Sequence, residues 1–248
     1  MKKRIRVIAG PNGSGKSSYI HKVLAAEGVN LGIYVNADDI EKTLKDNGAF
    51  TFDIFGLNLT KEIILTELLK SSFLEKIDQK VFFDAIQVSD NQITMLQNSI
   101  NSYVAAMIAD ISRQYLLRTE QSFTFETVMS DKSKLEFLQK AKSQGFRIYL
   151  YFVTTETPLI NIARVKNRVE TGGHNVSEDK IQQRYYRTMN LLFDAVTISD
   201  RAFLFDNSNE FTFVAAIENG EQVTIEVEDD QIPNWFIDYI EEKVKPNE

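Results

Sequence analysis

A stretch near the amino terminus has the residue types and spacing of a phosphate-binding loop. It fits the pattern G-x-x-x-x-G-K-[S/T] without a mismatch, and its residues are Gly10, Pro11, Asn12, Gly13, Ser14, Gly15, Lys16 and Ser17. Glycines let such a loop turn tightly and point its backbone N–H groups at a polyphosphate. Lys16 is then expected to reach the β- and γ-phosphates, and the Ser17 hydroxyl to ligate Mg²⁺. Together with the adjacent Ser18, these residues form a predicted site for ATP and Mg²⁺.

The segments on both sides of this loop match the elements that normally hold it. Residues 4–9 are a short run of β type, and residues 17–26 have the pattern of a helix that Gly28 ends. A helix that starts directly behind the loop adds the positive end of its dipole to the anion site. We therefore expect a strand, the phosphate loop and a helix in succession.

Two carboxylates follow the next predicted strand. Residues 32–40 run from apolar residues into a polar end that contains Asp38 and Asp39. Ligands of open α/β sheets lie at the carboxyl ends of strands, so both side chains are candidates to face the phosphates. Asp is also a favoured N-cap, and a helix is predicted over residues 40–45. We expect one aspartate to cap this helix and the other to act on the ligand.

Four arginines lie on two predicted helices late in the chain. Arg164 and Arg168 are four residues apart and share one helix face, and Arg184 and Arg187 share a face of the next helix. The Thr-Gly-Gly-His segment at residues 171–174 separates the two helices. Such charges usually form a solvated helix surface. The alternative, which we predict here, is a lid that places cations over a transferring phosphoryl group.

The middle of the chain allows more than one interpretation. Within residues 46–90, an apolar cluster either walls a substrate pocket or belongs to the core, which is the commoner outcome. The cluster consists of Phe50, Phe52, Phe55 and Leu57. Helical spacing covers residues 61–76, and residues 81–84 have the pattern of a short strand. Apolar residues at three- and four-residue steps predict a long helix over residues 91–117, with its start signal at residues 89–90.

The second half of the chain supplies further predicted strands. Residues 122–127 alternate like a strand that ends in Glu126 and Thr127. Residues 147–153 and 202–208 are also strand patterns, the first rich in aromatic and branched residues. A helix is predicted between the first two of these strands. Each strand therefore ends near polar residues that could bind a ligand.

Residues 211–248 are predicted to form a β-hairpin and a short helix. An Asn-Gly pair at residues 219–220 separates two alternating runs, which is a strong hairpin signal, and an amphipathic pattern covers residues 235–244. Strands and helices alternate along the chain, which predicts a three-layer α/β/α phosphate-loop (P-loop) NTPase fold, kinase-like, with a parallel central sheet. No linker or repeat interrupts the sequence, so we expect a single domain over residues 1–248.

The composition excludes several classes of site. The 248 residues carry a net charge of −7, which does not favour a general nucleic-acid-binding surface, although a local basic cleft is allowed. With no cysteine and only two histidines, His21 and His174, neither a thiolate site nor a His-based zinc site is expected. No apolar run has the length of a membrane span, and the N-terminus lacks a signal-peptide core. We expect a cytoplasmic protein that does not contact membranes.

The ordered set of motifs resembles the zeta-toxin-like group of phosphate-loop kinases. The resemblance covers most of residues 1–210. Besides the phosphate loop, it rests on Asn36-Ala37-Asp38-Asp39, Ser122-Phe123-Thr124-Phe125-Glu126-Thr127, Gly172-Gly173-His174 and Asp206-Asn207-Ser208. It implies a kinase that moves the γ-phosphate of ATP to a hydroxyl of a small molecule, such as a nucleotide sugar or a nucleoside. Characterised zeta toxins phosphorylate UDP-N-acetylglucosamine.

The resemblance also implies roles for individual residues. Asp38 matches the family's catalytic base, Glu126 matches a residue that holds the acceptor, and Arg168 best matches an arginine that neutralises phosphates. With Lys16 and Arg184, Asp38 and Arg168 make up the predicted catalytic set. The other predicted acceptor-binding residues are Asp39, Thr127, Arg164, His174 and Arg187.

The sequence departs from the family pattern in three places. Val128 replaces a hydroxyl residue two positions after Glu126, residues 173–174 stand where a second lid arginine is expected, and residues 46–90 have no counterpart. The predicted ATP site is unaffected, and the acceptor stays open.

Two other functions are compatible with a phosphate loop. One is an ATP-hydrolysing switch or ABC-like ATPase, although the sequence has no Leu-Ser-Gly-Gly-Gln-type signature. The other is a nucleotide-gated binding protein, for instance one bound by an antitoxin. Partner-stimulated hydrolysis without an acceptor would identify the first, and tight ATP binding without turnover the second.

Overall fold

The computed structural model describes residues 3–26, 28–170 and 176–244. Its internal contacts divide the chain into two compact units. The first unit contains residues 1–31 and 126–248, and the second contains residues 32–125. In sequence, the second unit is thus one continuous insertion into the first. The prediction of a single domain concerns both units together and stays a prediction.

The described residues form short strands and helices that alternate along much of the chain. The strands are β1 (Arg4–Ala9), β2 (Ile33–Val35), β3 (Ala49–Thr51), β4 (Ile86–Ser89), β5 (Gln92–Met95), β6 (Phe123–Thr127), β7 (Arg147–Thr154), β8 (Arg201–Asp206), β9 (Thr212–Glu218) and β10 (Gln222–Ile225). The helices are α1 (Lys16–Ala26), α2 (Ala37–Asn47), α3 (Lys61–Leu69), α4 (Gln79–Ala85), α5 (Ser102–Arg118), α6 (Ser133–Ser143), α7 (Pro158–Glu170), α8 (Glu178–Ile198), α9 (Asn234–Phe236) and α10 (Glu242–Val244). A π-helical turn, Ile237–Glu241, joins α9 to α10.

The first unit is built on a sheet with the strand order β10-β9-β8-β7-β1. Strands β1, β7 and β8 are parallel, whereas β9 and β10 join antiparallel to the β8 edge. Leu150 and Phe152 on one face of β7 and Val153 on the other face are fully buried, as is usual for a central parallel strand with both faces covered. Parallel pairing places the carboxyl ends of β1, β7 and β8 at one edge, where their following loops meet.

The second unit contains a parallel strand pair and a small antiparallel sheet. β2 lies beside the first part of β6, with Ile33 opposite Phe123, and helices α2 and α5 pack against each other. The small sheet has the strand order β3-β5-β4. The apolar cluster within residues 46–90 belongs to the core of this unit, because Phe50, Phe52, Phe55 and Leu57 are exposed by 5% or less.

Two sequence predictions in the second unit are wrong. Residues 81–84 belong to helix α4 and not to a strand. The long helix predicted over residues 91–117 is confined to α5, while its predicted first turns form strand β5 and a 3-10 turn. Ile93 and Met95 are buried on one face of β5. Ile93 lies two residues from Met95, which suits a strand face, and three residues from Leu96, which suits a helix face, so local sequence did not separate the two structures.

Two helix boundaries also differ from the predictions. The helix predicted over residues 61–76 ends as α3 at Leu69, and a separate 3-10 helix covers Ser72–Lys76. Helix α2 starts at Ala37, three residues before the predicted start, and its N-cap is Asn36. The Asn36 side chain accepts a hydrogen bond from the backbone N–H of Asp38 at 2.9 Å. The expectation that Asp38 or Asp39 caps this helix is therefore wrong.

The predicted fold class is confirmed. Strands and helices alternate around mainly parallel strands, and β9 and β10 form the predicted hairpin, with Glu218 opposite Gln222. The short helical segment that follows the hairpin includes Trp235 and Phe236, which are buried. Within the described part of the chain, none of the helices combines the length and the apolar character needed to cross a bilayer.

Candidate functional site

The phosphate loop connects β1 to α1 and passes close to neighbouring backbone. Gly10 and Gly13 have φ angles of 144° and 78°, a region that residues with side chains rarely adopt. A Cβ atom on Gly10 would overlap the carbonyl group of Val153, and one on Gly13 would lie 2.6 Å from the carbonyl oxygen of Asn161. Both positions therefore require glycine, for conformation and for space.

Two buried asparagines hold this loop from outside its own sequence. The Asn161 side chain on α7 donates a hydrogen bond to the carbonyl oxygen of Asn12 at 2.8 Å. The Asn207 side chain, just after β8, donates to the carbonyl oxygen of Ser14 at 2.7 Å. Because both amides are 2% exposed or less, these bonds are shielded from water. They fix two peptide groups of the loop.

Lys16 lies inside the curve of the loop. Its side-chain ammonium donates hydrogen bonds to the carbonyl oxygens of Gly10 and Pro11, both at 2.8 Å. The residue is only 7% exposed, and a charge so little hydrated requires polar partners. A phosphate group entering the loop would offer the ammonium a negatively charged acceptor.

Ser17 is paired with a carboxylate from β6. The Ser17 hydroxyl lies 2.8 Å and 2.9 Å from the two carboxylate oxygens of Glu126. A hydroxyl has one proton, so it donates to one of these oxygens and keeps its lone pairs for a cation. The pair thus presents hydroxyl and carboxylate oxygens side by side at the start of α1.

Helix α8 contacts the phosphate loop and the segment after β6. The Arg184 guanidinium donates a hydrogen bond to the side-chain oxygen of Asn12 at 3.4 Å, and the Thr188 hydroxyl donates to the carbonyl oxygen of Val128 at 2.9 Å. The Tyr185 hydroxyl donates to the carbonyl oxygen of Thr155 at 2.6 Å. Burial raises the pKa of Tyr185 well above its ordinary value, so this donor stays protonated at physiological pH.

The other predicted arginines differ in their surroundings. Arg164 on α7 is half-buried and donates a hydrogen bond to the carbonyl oxygen of Ser208 at 3.2 Å. Arg168 and Arg187 are exposed. Hydrogen bonds from Ser133 lower the pKa of Asp131, and the charges of Lys134 and Arg187 add to this shift. Arg184 is thus the arginine with a described contact to the phosphate loop.

The predicted site residues also include Thr127, Asp38, Asp39 and His174. The Thr127 hydroxyl accepts a hydrogen bond from the backbone N–H of Met129 at 3.0 Å and so orders the turn after β6. Asp38 and Asp39 are exposed in the first turn of α2, in the second unit. His174 lies outside the described residues. The roles of all four residues in binding an acceptor stay predictions.

Sequence reasoning missed the residues that support the loop. Asn161 occurs within an ordinary helical pattern, and no local signal marks its amide. Asn207 belongs to the Asp-Asn-Ser segment after the last core strand, where the polar strand end was noted without a role. Thr188, which bonds the segment after β6, lies four residues after Arg184 on a helix and is equally unmarked. Only the pairing of β1, β7 and β8 brings Asn161 and Asn207 to the loop.

Solved structures share this fold at low sequence identity. One chain of the AvrRxo1-ORF1:AvrRxo1-ORF2 complex with sulphate ions aligns with a TM-score of 0.54 and 12% identity, covering 91% of this chain and 61% of that chain. The same complex with ATP gives a TM-score of 0.52 and 13% identity over the same shares. This chain therefore spans less than two thirds of the AvrRxo1 chain that it matches.

A second similar structure comes from Streptococcus pneumoniae. One chain of its PezAT chromosomal toxin-antitoxin system aligns with a TM-score of 0.50 and 11% identity, covering 96% of this chain and 79% of that chain. At such identities the likeness concerns the fold. The AvrRxo1 and PezAT chains share their architecture with this protein, but this similarity does not assign their activities to it.

The sequence comparisons identify a relative in Haemophilus influenzae. No protein family model matches this chain. An uncharacterized protein of Haemophilus influenzae is 30% identical over 110 residues, which are 41% of this chain and 77% of that protein. This chain belongs to the same family as the Haemophilus influenzae protein.

Proposed function

We propose that this protein is an ATP-dependent phosphotransferase that moves the γ-phosphate of ATP to a hydroxyl group of a small molecule. The observation that carries the proposal is the Ser17–Glu126 pair beside Lys16, behind a pre-formed phosphate loop. Phosphate-loop enzymes need a lysine for the β- and γ-phosphates, and a loop hydroxyl and a carboxylate for the metal ion. All three side chains are present in one compact unit.

The donor atoms of this pair fit Mg²⁺. Magnesium prefers hard oxygen ligands, usually one or two protein groups together with phosphate oxygens and water. Ser17 and Glu126 offer a hydroxyl and a carboxylate, and the described residues contain no cluster of three or more His, Cys, Asp or Glu that could hold a metal alone. Mg²⁺, when bound, would neutralise charge on the β- and γ-phosphates. In this proposal Glu126 serves the metal site, whereas the family resemblance implies contact with the acceptor.

The arginines would supply the remaining positive charge. Phosphoryl transfer passes through a loose transition state whose charge lies on the transferred group and the bridging oxygens. Arg184 already contacts the Asn12 side chain of the loop, so a small movement of its guanidinium would bring it to a bound phosphate. Arg168 and Arg164 on α7 are further candidates for the same charge, with Arg168 the best match to the resembled family.

The acceptor would be oriented by Asp38, with Asp39 and Thr127 as further contacts. Asp38 is an exposed carboxylate at the start of α2, where an acceptor hydroxyl could reach it. A general base in this reaction accepts the hydroxyl proton late and acts mainly by orienting the attacking oxygen. A nucleotide sugar or a nucleoside-like molecule is the acceptor class that the family resemblance favours.

A protein partner is a second part of the proposal. Two structures that share the fold are described as a complex of two proteins and as a toxin-antitoxin system. By analogy at the level of the fold, an antitoxin-like protein could bind this chain and control access to the phosphate loop. Co-purification with the product of a neighbouring gene would test this point.

The experiment that tests the enzymatic proposal is a transfer screen. The purified protein is incubated with γ-labelled ATP, Mg²⁺ and fractionated metabolite pools, and labelled products are separated from phosphate. We expect a labelled small molecule whose formation requires both Mg²⁺ and an intact Lys16. Release of labelled phosphate alone, at a rate that no fraction changes, would instead identify an ATP-hydrolysing switch.

A further inference from the structure

The C-terminal segment Pro233–Phe236, called here the C-terminal latch, is hydrogen-bonded to two carboxylates at the end of the sheet. The indole N–H of Trp235 donates to Asp206 at 2.8 Å. The side-chain amide and the backbone N–H of Asn234 donate to one oxygen of Glu156, at 2.5 Å and 3.1 Å. Trp235 is 2% exposed. The latch therefore lies against the carboxyl ends of β7 and β8.

Both carboxylates stand next to residues that hold the phosphate loop. Asp206 precedes Asn207, whose side chain bonds the carbonyl oxygen of Ser14 at 2.7 Å. Glu156 follows Thr155, whose hydroxyl donates to the side-chain oxygen of Asn161. Asn161 in turn bonds the carbonyl oxygen of Asn12. Two hydrogen bonds, joined through the Asp206–Asn207 pair, thus connect Trp235 to the loop. Three hydrogen bonds connect Asn234 to the loop in the same way.

Ser208 connects the two carboxylate residues, Asp206 and Glu156, to Arg164. Its backbone N–H and its hydroxyl donate to Asp206, at 2.8 Å and 3.0 Å. Its hydroxyl also accepts a hydrogen bond from the backbone N–H of Glu156 at 2.8 Å. Its carbonyl oxygen accepts a hydrogen bond from the Arg164 guanidinium at 3.2 Å. A shift of Asp206 would therefore displace Ser208 and Asn207 together, and with them Arg164 and the loop.

We propose that Trp235 and Asn234 are positioning residues that hold the phosphate loop in its ligand-binding conformation. They act through Asp206 and Glu156, and they touch no substrate themselves. The effect on the loop is a property of the folded chain, whereas its consequence for ATP affinity rests on the proposed function. Loss of one hydrogen bond to a carboxylate is enough to change a local opening equilibrium by about tenfold.

The test compares two neighbouring substitutions. Trp235→Phe removes the indole donor and some apolar volume, and Phe236→Leu removes apolar volume from a buried side chain that donates no side-chain hydrogen bond. Amide hydrogen exchange of peptides covering residues 10–17 is measured in both variants without ligand, at a temperature where both are folded. We expect exchange about tenfold faster in Trp235→Phe and unchanged within about twofold in Phe236→Leu.

A second variant and a binding measurement complete the test. Asn234→Ala, at an exposed position, is expected to accelerate loop exchange in the same way, even where Trp235→Phe folds poorly. Equal exchange in the wild type and in both latch variants, or equal acceleration in Phe236→Leu, would overturn the proposal. Calorimetric titration with ATP and Mg²⁺ is done in parallel. A wild type that binds no ATP contradicts the proposed function alone, because loop exchange still decides whether the latch acts.

Discussion

The two compact units use their interiors differently. In the first unit, the buried side-chain amides of Asn161 and Asn207 form hydrogen bonds to the backbone of the phosphate loop. In the second unit, aromatic rings pack around the small sheet. The rings of Phe50 and Phe52 are in edge-to-face contact, with their centroids 5.4 Å apart. Directional bonds fix the positions of atoms, whereas ring packing fills space with little demand on exact geometry.

This difference separates two consequences of mutation. A loop held by directional bonds loses its ligand geometry when one bond is removed, although the fold survives. An aromatic core loses stability when one ring is removed, although the shape of a remote site survives. Substitutions in and around the phosphate loop should therefore change chemistry more than stability, and substitutions in the aromatic core of the second unit should do the opposite.

The largest effect is expected at Lys16. Lys16→Ala removes the ammonium that lies inside the phosphate loop, so turnover of ATP should fall below detection while the circular dichroism spectrum stays unchanged. Lys142→Ala, which removes an exposed lysine from the end of α6, serves as the matched control and should keep full activity. Unchanged turnover in Lys16→Ala would contradict the assignment of the phosphate loop.

The lid arginines should give the next largest effect. Arg184→Ala and Arg168→Ala should lower the rate of transfer by about 10³ or more while weakening ATP binding much less, because lid cations act mainly on charge developed during transfer. Rates under single-turnover conditions and ATP affinities separate the two quantities. Arg147→Ala, at the opposite end of β7, is the control. Wild-type rates with a true acceptor would show that these arginines are surface charges.

Asp38 is a predicted exception to the contrast between the two units, because it lies in the second unit but is predicted to act in the phosphoryl transfer. Asp38→Asn keeps the size of the side chain and one acceptor oxygen but cannot take a proton. Positioned bases contribute about 10²–10⁴ in rate, and the lower end is expected for a loose transition state. Transfer should fall accordingly, with ATP affinity nearly unchanged.

Two other results at Asp38 would each change the assignment. A collapse of ATP–Mg²⁺ binding would place Asp38 in the metal site and leave Asp39 as the candidate base. A loss of stability with normal activity per folded molecule would show that Asp38 only supports helix α2.

The smallest effect on chemistry is expected in the aromatic core. Phe52 is fully buried, so Phe52→Ala should lower the free energy of unfolding by about 3–5 kcal/mol. Activity per folded molecule should stay at the wild-type level at a temperature where the variant is folded. Leu96→Ala, at a side chain 61% exposed, is the control and should change stability by about 0.5 kcal/mol or less. Chemical denaturation with parallel activity assays measures both.

Local sequence was sufficient for the phosphate loop and the elements beside it. Every feature of that site within residues 10–17 follows from glycine conformations, one lysine and one hydroxyl at set spacing. The same holds for the hairpin at residues 219–220, because an Asn-Gly turn constrains its own two strands. Such features can be predicted from neighbours in the chain, although distant residues such as Asn161 and Asn207 hold the folded loop.

Local sequence was insufficient in the second unit. Apolar residues in the range 79–101 are compatible with strands and with helices, and burial against β3 and β4 selected the strand for β5. The cap of α2 was also misplaced, because several polar residues in a row can each accept the first N–H. There, the competing local structures have similar energies, and packing decides between them.

The partners of the phosphate loop were decided by tertiary structure alone. Glu126 is 109 residues from Ser17, Asn161 is 149 residues from Asn12, and Asn207 is 193 residues from Ser14. A motif specifies which atoms must be held, but any amide or carboxylate at a strand end could hold them. Which ones do so depends on the order of the strands in the sheet, and that order results from the burial of apolar side chains spread along the chain.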